Sequence, residues 1–409
     1  MQSGWRVGSL FGIPLFIDPS WFLIVLLVAI PRGILWQERY PHWGAAMAYA
    51  AGLAMAILLF ASVLLHELGH SLVARSQGIK VSSITLFLFG GIASIEQESK
   101  TPGQAFQVAI AGPAVSFFLA ILLGSLIQVL PGVESPLRIV MANLAMINLV
   151  LGLFNLIPGL PLDGGQVLKA AIWKATGDRF KGIHWAARSG QILGWLAISL
   201  GVWAAVVEGA FGGLWIALLG WFGVQNANNY QRLTDLQEAL LQIKAADAMA
   251  REFRVVDADM TLRQFADEYL LSPARSSVYF AASNGRYCGL VNVEDLQTIE
   301  RSKWEHQTLH CLVQPLNEIP TVREATPLVD VIQLMEAQQL RRVTVLSPAG
   351  AVAGIIDRGD VVQALGQKMN LRLPDAFIKQ IKEEGSYPPG LQLGAIAQAA
   401  AEAARPSNP

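Results

Sequence analysis

Charge is scarce in this chain. Asp, Glu, Lys and Arg make up 15% of its 409 residues, where soluble domains carry about 25%. Neither sign is in excess: 30 Lys and Arg against 31 Asp and Glu leave a net charge of −1. Without a basic surplus, nucleic acid is not an expected partner. Cysteine is scarcer still. Cys288 and Cys311 are the two present and form no CxxC pair, too few for a disulfide scaffold. With 53% hydrophobic side chains, collagen-like and mainly disordered classes are excluded as well.

The shortage of charge is uneven. Residues 1–230 hold 12 Lys and Arg and 9 Asp and Glu, about 9%, while residues 231–409 hold the other 18 and 22, about 22%. Ten of the eleven tryptophans lie at or before Trp221. The composition therefore predicts a membrane domain followed by a soluble one.

A bilayer span needs about 20 largely apolar residues. Uncharged runs of that size lie at 44–65, 101–133, 139–162 and 189–207, and a last one at 209–232 is charged only at its closing Arg232. A weaker segment at 15–36, charge-free over 19–31, makes six. It is not a secretory signal, since its start is nearly uncharged and no small-residue cleavage site follows. With both termini inside, nine Lys and Arg fall on inner segments against Arg32, Arg39 and Arg138 outside. That bias predicts cytoplasmic termini.

Ionisable groups at membrane depth are costly and point to function. His66, Glu67 and His70 directly follow the run 44–65, in LLHELGHSLVA. On a helix, positions i and i+4 share a face, so the two imidazoles can bind one metal ion. Glu67 sits about 100° round from His66. This is the HExxH arrangement of zinc proteases, in which zinc acidifies water and the glutamate takes its proton. The bland alternative is a polar cap at the cytoplasmic end of the helix. A catalytic zinc needs a third protein ligand. His42, His184, His306 and His310 are badly placed, and Glu96 and Glu98 are expected in solvent. Asp163 ends an uncharged run in NLIPGLPLDGGQVL. There Pro158 and Pro161 break the helix, while Gly164 and Gly165 permit close backbone approach.

HELGH followed by N-x-x-P-x-x-P-L-D-G resembles the site-2 protease family of intramembrane zinc metalloproteases. The pattern falls on His66, Glu67, His70, Asn155, Pro158, Pro161, Asp163 and Gly164. The resemblance covers roughly residues 5–225 and extends to AGP at 111–113. It also includes LFLFGGIASIE at 86–96, similar to the family's membrane-associated β-hairpin. It implies that Asp163 completes a one-zinc site and that Asn155 polarises or orients the scissile peptide. Without the motif, Asn155 reads as a helix-breaking or interhelical polar residue. The substrate implied is a transmembrane segment of another protein, which must unwind before attack. An edge strand at 86–93 can pair with the unwound segment. Gly90 and Gly91 allow close approach there, or form a plain tight turn. Residues 8–18 can add strands to the same sheet.

The soluble half contains two units of similar order, 245–306 and 307–370, after a helical linker at 230–244. Each has an amphipathic helix, then a strand pair joined at Asn284-Gly285 or Pro348-Ala349-Gly350. Each ends in an acidic residue that opens a helix, Asp295 or Asp360, 65 residues apart. This internal repeat resembles a tandem pair of CBS (cystathionine-β-synthase type) repeats. The resemblance implies adenine nucleotide binding with Asp295 and Asp360 as ribose partners, and a regulatory or homodimerising role. Departures weaken it: Asn292 and Asp357 stand where relatives carry Ser or Thr. Helix capping is the equal alternative for both aspartates. Residues 371–409 read as a short helix with a mobile tail.

The expected architecture is an α-helical polytopic membrane domain of about six transmembrane helices, with a small membrane-associated β-hairpin, plus an α/β tandem CBS-type soluble domain. The expected activity is zinc endopeptidase cleavage in the lipid bilayer, in a prokaryotic plasma membrane. The rivals are a non-proteolytic, zinc-binding transporter gated by CBS domains and a catalytically dead scaffold. Paired polar sites would mark the transporter, but the polar residues here gather at one site.

Overall fold

The computed structural model describes residues 4–404 except 89, 131, 208, 272–277 and 389, with the backbone alone at 211, 403 and 404. The chain divides into two units, one running to Thr234 and the other starting at Asp235.

The first unit opens on the hairpin β1 (Trp5–Leu10) and β2 (Ile13–Ile17). Its turn residues Phe11 and Gly12 both have positive φ, 50° and 79°, as the tightest hairpin turns require. Strand β2 then pairs in parallel with β3 (Val81–Phe87), and β3 pairs antiparallel with β4 (Gly90–Ile95). The sheet order is β1-β2-β3-β4, so β4 is a free edge. The expected 86–96 hairpin is thus half of a four-stranded sheet to which residues 8–18 do contribute.

Helices α1 (Ser20–Arg39), α2 (Gly44–Ser76), α3 (Pro102–Val129), α4 (Pro136–Asn155) and α6 (Arg179–Val207) are the five long and apolar enough to cross a membrane among the described residues. Proline opens both α3 and α4 behind the capping hydroxyls of Thr101 and Ser135, where its missing N–H costs nothing. Five of the six expected spans are accounted for. The sixth, 209–232, falls in α7 (Phe211–Gln242), which runs on without a break into polar residues. The expected linker at 230–244 is therefore largely a continuation of that helix. Between α4 and α6 lies the amphipathic α5 (Asp163–Thr176).

The second unit repeats one topology. Strand β5 (Arg254–Asp257) runs parallel to β6 (Tyr279–Ser283), which pairs antiparallel with β7 (Arg286–Val291), and β8 (Val313–Pro315) closes the sheet. Strands β9 (Thr321–Arg323), β10 (Arg342–Leu346) and β11 (Val352–Asp357) make the same parallel-then-antiparallel set. The helices are the one-turn α8 (Ala245–Ala248) and α9 (Leu262–Phe265), then α10 (Leu328–Ala337) and α11 (Arg358–Lys368). A core of Val278, Phe280, Ile319, Val352 and Ile355 joins the two repeats.

Among the described residues, the segment from 371 to 404 is not a loose tail. It forms α12 (Asp375–Glu384) and α13 (Leu393–Ala404). Ile378, Ile381, Leu393, Ala397 and Ala400 enter the core of the second repeat beside α10 and β10. Their spacing of three and four residues puts each set on one helical face. That apolar stripe accounts for the order.

Candidate metal centre

Helix α2 does not end at HELGH. It continues to Ser76, so the motif lies inside the helix and a terminal cap is excluded. One turn apart on a single face, His66 and His70 are 4% and 8% exposed. Helix α3 supplies a partner for the outer nitrogen of each ring. The Val108 carbonyl accepts from His70 Nδ1 at 2.7 Å, and Ser116 Oγ meets His66 Nδ1 at 2.9 Å. A carbonyl accepts only, so the His70 proton is on Nδ1 and its Nε2 lone pair is free.

The third member comes from the break after α4. Residues 156–162 fold back so closely over the start of α5 that a side chain at Gly164 would strike the carbonyls of Leu156 and Ile157. One at Gly165 would strike the backbone of Gly159 and Leu160. This places Asp163, the first residue of α5, against α2. Asp163 Oδ2 is 3.1 Å from His66 Nε2 and 3.3 Å from His70 Nε2, and the two Nε2 atoms are 3.3 Å apart. Zinc bonds of about 2.0–2.2 Å to N and O set tetrahedral donor atoms about 3.3–3.5 Å apart. The three separations fit that spacing, and the donor set of two neutral imidazoles and one carboxylate suits zinc. The trio is the metal-capable cluster found among the described residues.

Gly112 of the AGP segment faces the donors directly. A β-carbon there would lie 2.6 Å from His66 Nε2 and closer still to His70 Nε2. Glu67 is the half-buried neighbour of the trio. Edge strand β4 passes over it: a β-carbon on Gly91 would be 2.6 Å from Glu67 Cγ, and the Ala93 backbone N–H is directed to its carboxylate. Gly91 thus serves close approach, while Gly90, at φ 134°, opens the strand in a conformation that favours glycine. Asn155 is the half-buried last residue of α4.

Several site residues carry no motif of their own. Ser116 and Val108 fix the rings; Asn148 on α4 donates to Ser62 Oγ at 3.0 Å, one turn before His66 on α2. Glu98 is exposed as expected, and in addition contacts Lys169 at 3.1 Å and Arg179 at 2.6 Å. In the second unit, Asp360 is 4% exposed. Its carboxylate accepts from the Asp357 N–H at 3.0 Å and meets Lys382 Nζ at 2.6 Å. Burial pushes it up to about 6, which Lys382 offsets in part. The capping alternative describes Asp360: with Asp357 it forms the reciprocal box that opens α11. Asp295 is exposed in a short 3-10 turn at Val293–Thr298.

A helical membrane domain with an HExxH helix, a distant aspartate at donor spacing and a glutamate beside them defines a metallopeptidase-like centre. The comparisons with known proteins name the family. Residues 54–143 and 133–197 match the model of peptidase family M50, and residues 313–367 match the CBS domain model. The protein sll0528 of Synechocystis sp., named as a zinc metalloprotease, is 43% identical over 89% of this chain and 96% of its own length. Rip3 of Mycobacterium tuberculosis, named likewise, is 34% identical over 89% and 93%. Among solved structures, the site-2 protease of Methanocaldococcus jannaschii is 31% identical, covering 56% of this chain and 95% of that one, with a TM-score of 0.41. The chain belongs to peptidase family M50, the metalloprotease family of the site-2 proteases, and carries a C-terminal CBS region. A transporter is thereby displaced.

Proposed function

We propose that the chain is an intramembrane endopeptidase that hydrolyses peptide bonds in transmembrane segments of other proteins. The observation that carries this reading is the convergence of His66 Nε2, His70 Nε2 and Asp163 Oδ2 within 3.3 Å of one another, the two imidazoles being on a helix apolar and long enough to span a bilayer. His66, His70 and Asp163 would hold one zinc ion, which when bound would supply Lewis-acid chemistry, acidifying water and polarising a carbonyl. Glu67 accepts the proton of the attacking water and delivers it to the leaving amine. Asn155, at the end of α4, orients the scissile peptide. The unwound substrate adds to the free edge of β4 at Gly90 and Gly91, which puts its backbone alongside Glu67. The Lys and Arg distribution supports cytoplasmic termini.

A synthetic single-span peptide with a helix-breaking Asn-Pro pair at mid-span, reconstituted with the purified chain in phosphatidylcholine vesicles, tests the reading. Cleavage within the span is expected, lost on chelation and restored by zinc. Cleavage outside the span only, or cleavage that survives metal removal, would overturn it.

The CBS region is read as a regulatory or homodimerising module that takes an adenine nucleotide. With Asp360 committed to Lys382 and its own helix cap, the ribose contact falls to exposed Asp295. Isothermal titration of the full chain with ATP and AMP is expected to give saturable heat that Asp295→Ala removes. No heat at millimolar ligand would sink this part.

A further inference from the structure

We infer that Glu98 is a positioning residue that ties the end of the substrate-binding strand β4 to α5, the helix that begins with Asp163; this rests on the reading that substrate adds to β4. Three elements meet at its carboxylate. Glu98 lies between the end of β4 at Ile95 and the start of α3 at Pro102. Lys169, which it contacts at 3.1 Å, is on α5, the helix that begins with Asp163. Arg179, at 2.6 Å, is the first residue of α6. Both cations are nearly closed off, with side chains 10% and 11% exposed.

The geometry makes the contact more than a surface pair. Exposed ion pairs contribute little because water and salt screen them. Here one carboxylate serves two buried cations, and removing it leaves two like charges without a counter-ion. The Glu98 side chain is half open to solvent, while the two cations it meets are nearly closed off. Desolvation acts to raise that carboxyl, but Lys169 and Arg179 outweigh it and hold it below the usual carboxylate range. The group therefore stays ionised at neutral and mildly acid pH, and the clamp loosens only when pH falls through the lowered value.

The strand itself is held by its antiparallel ladder with β3 and by packing on α2 at Glu67, and just beyond it the Glu96 N–H donates to the Lys80 carbonyl at 3.0 Å while its side chain meets Lys80 at 3.1 Å. That link runs back into the sheet. Glu98 provides the link to the helix that carries Asp163. This carboxylate thus ties the segment trailing the strand that presents substrate to the helix that carries the aspartate of the metal site.

The role predicts a change in substrate binding without loss of the metal. The full-length zinc-loaded protein is assayed on the Asn-Pro single-span peptide in phosphatidylcholine vesicles. Glu98→Gln is expected to raise KM by about tenfold, with kcat and zinc content within about twofold of wild type. Glu98→Asp keeps the charge and is expected to fall between the two; it provides the same readout if the glutamine variant does not fold. A peptide with N-methylated amides around the cleavage site tests β4 pairing separately. If N-methylation raises KM for the wild type and Glu98→Gln does not, the clamp is wrong and β4 docking stands. If N-methylation changes nothing, the docking reading fails and takes the proposal with it. A fall in kcat with KM unchanged overturns the positioning role.

Discussion

Glu67→Gln is expected to abolish cleavage of the single-span peptide, by about 10²- to 10⁴-fold or more, while zinc content stays that of the wild type. The geometry separates the two readouts. The donor atoms belong to His66, His70 and Asp163, and their rings are held from α3 by Ser116 and Val108. None of these contacts involves Glu67. Glutamine keeps the shape that packs beneath Gly91 and has no carboxylate oxygen to take a proton. Metal analysis and cleavage assays on the same preparation therefore have to diverge. Unchanged cleavage would remove Glu67 from the reaction; loss of zinc with loss of cleavage would make it a structural or ligating group. The scaffold alternative predicts no cleavage from either form.

The zinc-site residues were legible in the sequence where their logic is local. The four-residue spacing of His66 and His70 is a property of one helix, and Asp163 stands out because it ends an uncharged run beside two prolines and two glycines. What holds those residues was not legible. Ser116 and the Val108 carbonyl reach the rings from another helix, and a backbone carbonyl has no signature in sequence at all. The pairing of the half-exposed Glu98 was not legible because Lys169 and Arg179 lie 71 and 81 positions away; only the fold brings them together. The soluble half shows the opposite error. An Ala-rich segment after Pro388-Pro389-Gly390 suggested a mobile end, yet Leu393, Ala397 and Ala400 carry a helical period that could have been read. Small side chains make a weak apolar signal and still pack a core. The capping role of Asp360 was legible as an alternative, and its spacing of three from Asp357 is that of a capping box.

Gly112→Ala is expected to empty the zinc site and leave the helices intact. In a helix interior alanine is favoured over glycine by about 1 kcal/mol, so local propensity argues for a small gain in stability. The site reverses that sign. The added methyl would fall 2.6 Å from His66 Nε2 and nearer to His70 Nε2, the two atoms that must both face the metal. Neither ring has an easy retreat: His70 is bonded through Nδ1 to Val108 and His66 to Ser116, both on the same helix α3 as the new methyl. Moving the rings breaks those bonds. Moving α3 breaks them too, since the partners travel with it. Loss of one orienting partner alone costs about 10- to 100-fold in metal affinity, and this substitution disturbs two rings together. Zinc measured by elemental analysis should fall below one-tenth of the wild-type content at matched free zinc, while circular dichroism shows helical content unchanged. Gly103→Ala on the same helix, where a β-carbon meets nothing within 4 Å, is expected to keep both zinc and cleavage. A Gly112→Ala protein that retains full zinc would mean that the imidazoles do not converge beneath α3, and the proposed zinc site would fall with it.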